Sequence, residues 1–424
     1  MNLIEITPDE SGNIDWPLLS TDKKSVVTVG SFDGMHRGHR AVVSTVAQLA
    51  KQQHAFSVVI MFDERPAFVH QYAAEHGGAQ VPEDMVDEDR ISGLSQRLRV
   101  MNEIGVDYVL LVHYTLEFAD KSFRFFIGQL VGKLGMRTLV LGADAAMGAG
   151  RAGTVEAIDL LAQATGMFEL VLVDDKGNGA TRVPRTIEPR MPKNADDATD
   201  MRQSMNKAEF RSWSKKIQSR EVRNWSSSNV RFLLSQAAIR EANEILGAAH
   251  GVEGVVTHGE ERGSTLGFPT ANVDTPFDGY LPVDGVYAGW LVDLGPAESY
   301  DPKTGSVMIT DEEHAAHTDD GAHNAAISQQ YHGGSVKSRL APESPFRWKA
   351  AISIGAKPTF SDQTGRNDRT LEAYALTDDW IDLYGHRVRV EFESFLRPQI
   401  KFDSKDELVA QLERDKKTVD ELLK

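Results

Sequence analysis

The chain has 424 residues, is 41% hydrophobic and 25% charged, carries a formal charge of −16 and contains no cysteine. That length predicts two or three domains, each with enough apolar mass for a core. The acidic balance excludes a general nucleic-acid or membrane-surface binder, and the absent cysteines exclude disulfides, thiolate metal sites and cysteine nucleophiles. A nucleotide substrate is still allowed, because glycine loops and a metal hold phosphates on an acidic protein. No nucleic-acid or membrane partner is expected, and oligomeric state is left open.

Residues 1–15 are acidic and polar, without the basic stretch and apolar run of a signal peptide. No apolar run approaches the ~20 residues that span a bilayer, so a cytoplasmic protein is expected.

Between residues 26 and 173, short apolar runs alternate with longer amphipathic ones. The runs at 26–29, 57–61, 108–112, 138–141 and 169–173 predict buried strands. Val42, Val46 and Leu49 share one helical face, and Phe123, Ile127 and Leu130 share another. This alternation predicts a parallel, doubly wound sheet with ligands beyond the strand C-termini.

The first strand-to-helix junction reads Gly30-Ser31-Phe32-Asp33-Gly34-Met35-His36-Arg37-Gly38-His39. Its two histidines, three apart as the helix begins, are expected to face one way beside open backbone amides, a natural place for a phosphate. The competing reading is a pair of capping or surface histidines. The glycine-framed pairing favours function.

This junction is similar to the nucleotidylyltransferase signature of the bacterial bifunctional riboflavin kinase/FAD synthetases. The resemblance implies a Rossmann-like module that transfers AMP from ATP to FMN and releases pyrophosphate. It puts His36 and His39 on the ATP phosphates and gives Gly30, Phe32, Asp33 and Gly34 the nucleotide pocket. Three later blocks depart from the family. Phe62-Asp63-Glu64-Arg65-Pro66 has no histidine before its proline, and Gly142-Ala143-Asp144-Ala145-Ala146-Met147-Gly148 lacks two aromatics. Ser226-Ser227-Ser228-Asn229-Val230-Arg231 keeps its arginine, which the resemblance puts on a nucleotide phosphate. Residues 186–224 read as a charged, partly mobile insertion, and a helix over 232–246 stops at Gly247. The domain boundary is expected near residue 248, between an N-terminal module at 1–248 and a C-terminal module at 249–424.

Beyond it the period changes. Short β-rich runs at 252–258, 286–292, 348–354, 370–376 and 387–392, without helices between them, predict a small antiparallel barrel. A final helix follows, with Ser404 and Glu407 in a capping-box pattern and Leu408, Leu412, Val419, Leu422 and Leu423 as its apolar stripe. The run 295–345 reads as a second insertion. Its His314 and His317 invite a metal reading, which a polar surface insertion explains better.

After the first barrel strand comes Gly263-Ser264-Thr265-Leu266-Gly267-Phe268-Pro269-Thr270-Ala271-Asn272, able to bring amides, a hydroxyl and a side-chain amide to one point. With Asp284-Gly285-Val286-Tyr287, Thr370-Leu371-Glu372 and Phe395-Leu396-Arg397-Pro398, it closely resembles the riboflavin kinase module. That resemblance implies magnesium and ATP phosphates at Thr270 and Asn272, ATP at Gly263, Thr265, Gly267 and Pro269, and Glu372 as general base. An outward-facing strand glutamate is the alternative for Glu372 alone. The whole resemblance implies riboflavin, FMN and ATP as substrates, FMN and FAD as products, and Mg2+ as cofactor. Two other readings stay open: a kinase with an impaired or altered N-terminal module, and a flavin- or nucleotide-binding regulator without turnover.

Overall fold

The computed structural model describes residues 1–174, 177, 179–257, 270–301, 306–307, 336–356, 369–379 and 381–424. It divides into two compact units. One comprises Met1–Arg90, Leu94–Gly179 and Arg223–Ser227; the other comprises Ile91–Gly93, Ala180–Val222 and Ser228–Lys424.

The first unit runs β1 (Asn2–Ile6), β2 (Ser25–Val29), α1 (Arg37–Gln52), β3 (Phe56–Phe62), α2 (Pro66–Glu75) and α3 (Leu94–Ile104). It continues through β4 (Tyr108–Val112), α4 (Phe123–Lys133), β5 (Met136–Gly142), α5 (Val155–Thr165) and β6 (Glu169–Val173). The strands form one sheet in the order β1-β4-β3-β2-β5-β6, with parallel pairings. Alternate residues explain the continuous apolar runs. Val27, Val58, Ile60, Leu110 and Leu139 pack with Ile127, Leu130 and Ile158 on one face. Val26, Val59, Met61, Val109 and Val140 pack with Val43, Val46, Leu98 and Met101 on the other. Strand β1 is absent from the sequence-based expectation. Its outer polar residues hide an edge strand whose Ile4 and Ile6 reach the core.

The second unit begins with β7 (Ala180–Val183), α6 (Lys207–Lys216) and β8 (Arg220–Arg223), and its two strands pair. Residues 186–224, expected to be a solvated insertion, contain an internal brace. Buried Arg202 donates to Asp200 Oδ1 at 2.7 Å and Oδ2 at 2.8 Å, to Asn229 Oδ1 at 2.8 Å and to Thr181 Oγ1 at 3.1 Å. Part of the charge that reads as solvated is therefore paired inside. The single helix expected over 232–246 is two, α7 (Ser227–Leu234) and α8 (Ile239–Leu246), because Ala237 takes a left-handed φ of 55° between them. Gly247 ends α8 in the left-handed conformation, as its position after the apolar run predicts.

The barrel follows: β9 (His250–Thr257), β10 (Thr270–Val273), β11 (Gly285–Pro296), β12 (Arg347–Ala356), β13 (Arg369–Ala375) and β14 (His386–Arg397). It closes in the order β9-β10-β13-β12-β11-β14, with β14 pairing back to β9 antiparallel. Tyr287 stacks edge-on against Phe392 and Phe395, with ring centroids 5.4 and 5.2 Å away. At the bulge between Ala288 and Gly289, a side chain on Gly289 would collide with the Glu391 carbonyl. The terminal helix α9 (Lys405–Leu422) covers Ala288, Ala351 and Tyr374 through Val419, Val409 and Leu412. Leu422, expected in its apolar stripe, is exposed. Residues 302–305 and 308–335, including His314, His317, His323 and His332, lie outside the described residues.

Candidate active sites

In the first unit, β2 is flanked by β3 and β5, and the chain reverses its order of winding between them. The crevice beyond β2 is where an open α/β sheet binds ligands. The junction Gly30 to His39 fills it. Phe32 and Met35 are buried at 4% and 3% exposure, yet both adopt left-handed backbone, with φ of 49° and 41°. Non-glycine residues held this way cost about 1–3 kcal/mol each and persist where packing enforces them. Here the Phe32 ring lies so close to Gly30 that a Cβ there would sit 3.2 Å from it.

His36 is the N-cap of α1, and its Nδ1 accepts the His39 backbone N–H at 3.3 Å. The two imidazoles stack with centroids 3.7 Å apart, and Phe32 meets His39 edge-on at 5.4 Å. Capping and functional placement thus coincide in one residue. Asp33 is buried at 2% exposure, and its carbonyl accepts the Ser227 hydroxyl at 2.8 Å. Arg97, at 1% exposure, donates through Nη1 to the carbonyls of Ser31 at 2.9 Å and Phe62 at 3.3 Å. It ties together the ends of β2 and β3. Neither partner is evident from local sequence, since both come from other elements.

The Phe62-Asp63-Glu64-Arg65-Pro66 block has its own order. Pro66 opens α2, and Arg65 grips Asp87 with two nitrogens. Asp63 accepts from the Tyr114 backbone at 3.0 Å and pairs with His113 Nδ1 at 2.6 Å. A histidine from the end of β4 therefore stands beside this block, although none precedes the proline. Burial pushes the Glu64 carboxyl up, opposed in part by Arg90. In the other altered block, Ala145 and Met147 pack against the core where aromatics were expected. Arg231 lies in α7, within the second unit, at 9% exposure. Its charge, after burial, helps lower the Arg220 pKa.

In the second unit, the register of β10 against β13 places Asn272 directly opposite Glu372. Ser353 of β12 is opposite Glu372 on its other side. Cross-strand partners share a face, and so do residues two apart, which puts Thr270, Asn272, Glu372, Thr370 and Ser353 on the outer barrel surface. Ala271, Val273, Leu371 and Ala373 point inward and are buried. Tyr374, the next outward residue of β13, lies under α9, so Glu372 sits at the margin of that helix's footprint. Asn272 Nδ2 donates to the Thr270 carbonyl at 3.4 Å, which leaves its Oδ1 as the amide acceptor. Gly263, Thr265, Gly267 and Pro269 lie outside the described residues.

A cavity of about 440 Å³ adjoins this surface, lined by Met191, Asp284, Ser353, Gly355, Thr370, Pro398 and Gln399. Gln399 donates to Ser353 Oγ at 2.9 Å, and Thr370 to the Gly355 carbonyl at 3.2 Å. Arg397, the last residue of β14, is bound to Asp415 of α9 at 2.6 Å. Among the described residues, no group of three His, Asp or Glu side chains is placed to hold a metal, and no helix is long and apolar enough to cross a membrane.

Residues 18–187 match the family described as FAD synthetase, and residues 246–423 the family described as riboflavin kinase. The chain is similar to a bifunctional riboflavin kinase/FMN adenylyltransferase of Listeria monocytogenes, 25% identical over 395 residues, covering 93% of this chain and 91% of the relative. It is likewise similar to one of Escherichia coli K12, 28% identical over 400 residues, covering 93% and 92%. A crystal structure described as a macrolide-efflux protein from Streptococcus pneumoniae shares the fold, with TM-score 0.61 and 21% identity over 98% of each chain.

Proposed function

This chain belongs to the bifunctional riboflavin kinase/FMN adenylyltransferase family, and we propose that it makes FMN from riboflavin and FAD from that FMN. In the first reaction the riboflavin 5′-hydroxyl attacks the γ-phosphorus of ATP and ADP leaves. In the second, the FMN phosphate attacks the α-phosphorus of ATP and pyrophosphate leaves. We assign adenylylation to residues 1–248 and phosphorylation to 249–424.

The observation that carries the kinase assignment is the pairing of Glu372 with Asn272 on one barrel face. Phosphoryl transfer is mostly positioning and charge neutralisation, and it needs one carboxylate near the attacking hydroxyl. Glu372 receives that proton. Thr270 and Asn272 offer neutral oxygen donors, the kind magnesium takes alongside substrate phosphates, so the residues fit the ion without a dedicated carboxylate cage. Magnesium, when bound there, neutralises charge on the ATP phosphates. In the first unit, His36 and His39 meet the ATP phosphates at the start of α1, while Gly30, Phe32, Asp33 and Gly34 shape the nucleotide pocket.

The test uses purified protein, riboflavin and magnesium-ATP. FMN is expected, and Glu372→Gln is expected to lower its kcat by about 10²–10⁴-fold. FAD formation from supplied FMN should persist in that variant. A variant with wild-type FMN turnover removes Glu372 from the base role.

A further inference from the structure

We propose that Met191, carried by the segment that precedes the barrel in sequence, forms a wall of the riboflavin pocket and sets its affinity for the flavin. The inference rests on the kinase reading above. The cavity beside Glu372 has a volume of about 440 Å³, within the ~300–1,000 Å³ range of small-molecule pockets. Thr370 and Ser353 of its lining share the outward face with Glu372: one is two residues away on β13, the other is its cross-strand partner. A molecule seated in the cavity is therefore adjacent to the proposed base.

The lining favours a flavin over a polyphosphate. No cation lines the cavity among the described residues. Arg369, next to Thr370 in sequence, is committed: it donates to Asp284 Oδ1 at 2.8 Å, to the Leu281 carbonyl at 3.1 Å and to the Pro282 carbonyl. Asp284 and Arg369 neutralise each other, so this wall offers no net positive charge to a triphosphate. Ser353, Thr370 and Gln399 supply neutral hydrogen-bonding groups suited to a polyol. Met191 and Pro398 supply apolar surface.

Met191 is 48% exposed, although its neighbours are fixed. Arg190 donates its backbone N–H to the Ser235 carbonyl at 2.8 Å, and its guanidinium to Gln236 at 3.0 Å and to Asp197 at 3.0 Å. Pro192 is buried. A rigid support thus holds a large thioether open to the cavity. Thioethers contact aromatic rings favourably and adapt to their shape, which matches the planar part of riboflavin.

Steady-state kinetics of the full chain test this, with riboflavin varied at saturating magnesium-ATP and then ATP varied at saturating riboflavin. Met191→Ala is expected to raise the riboflavin KM at least about 10-fold. Its kcat and ATP KM should stay within about twofold of wild type, the pattern of lost uniform binding. Met191→Leu should restore most of the affinity. Titration of riboflavin fluorescence with each protein, without ATP, should show the same weakening. An unchanged riboflavin KM in Met191→Ala overturns the inference while leaving the kinase reading intact. A rise confined to the ATP KM also overturns it and assigns the cavity to nucleotide. A wild-type protein that forms no FMN overturns the kinase reading itself, and the inference with it.

Discussion

At its Nδ1 atom, His36 accepts the backbone N–H of His39, the bond that asparagine makes at an ordinary helix N-cap. Its ring also stacks on His39 in the crevice beyond β2. Substitution separates these two roles. His36→Asn should keep the cap and its stability but slow FAD formation by about 10²–10³-fold, the usual effect of removing one donor to developing charge. His36→Ala should in addition lose about 0.5–2 kcal/mol of stability by urea denaturation. Unimpaired FAD formation in His36→Asn would reduce the residue to a cap. At this scale the sequence is informative about residue types and poor about their partners. The junction histidines and Glu372 stand in recognisable local contexts. Arg97 and Met191 reach their sites from other parts of the chain, and no local pattern marks them; Ser227 stands in the serine block before Arg231, but its bond to Asp33 does not show in that pattern.

Among the elements, those with strong periodicity were legible. All five apolar runs in the first half are strands of one parallel sheet, and each of the five β-rich runs in the second half overlaps a barrel strand. Ser404 caps α9, accepting from the Glu407 backbone at 3.2 Å, but only half of the capping box forms, because the Glu407 carboxylate accepts from the Asp403 backbone at 3.1 Å. The break between α7 and α8 was not legible, because Ala237 is an unremarkable helix former held at positive φ by its surroundings. The bolt that fixes α9 was hidden for a similar reason. Arg397 and Asp415 are adjacent only once the helix folds back over the barrel, where both side chains are largely buried. Asp415→Ala leaves a buried guanidinium without its carboxylate and should cost about 3–5 kcal/mol. Because Arg397 precedes Pro398 and Gln399 at the cavity, the same variant should also weaken riboflavin binding in fluorescence titrations. Wild-type stability in the variant would mean that the apolar contacts of Val419, Val409 and Leu412 suffice to hold the helix.

Over the whole molecule, acidity is distributed as paired internal charge as well as surface charge. Asp293 shows how this links to pH. Burial disfavours its ionised form, but hydrogen bonding to His386, the positive charges of His386 and Arg339 and the Gly295 N–H outweigh that and hold its pKa below 3.8. A carboxyl with a depressed folded-state pKa stabilises the fold above the unfolded value, and that stability is lost as pH falls through the folded value. Asp293→Asn should therefore cost about 3–5 kcal/mol at pH 7 and lose part of the steep decline below about pH 4. Urea midpoints at both pH values decide it; an identical acid decline in variant and wild type would remove Asp293 from that transition. The grouping of residues 180–222 with the barrel unit was also beyond the sequence, since the segment is tied to the rest of that unit by long-range bonds such as Arg202 with Asn229 and Arg190 with Ser235 and Gln236. The most direct test of the account is chromatographic separation of products after the wild-type protein meets riboflavin and magnesium-ATP. The account predicts FMN first and FAD after it. Absence of FMN, or FMN that never becomes FAD, would contradict it.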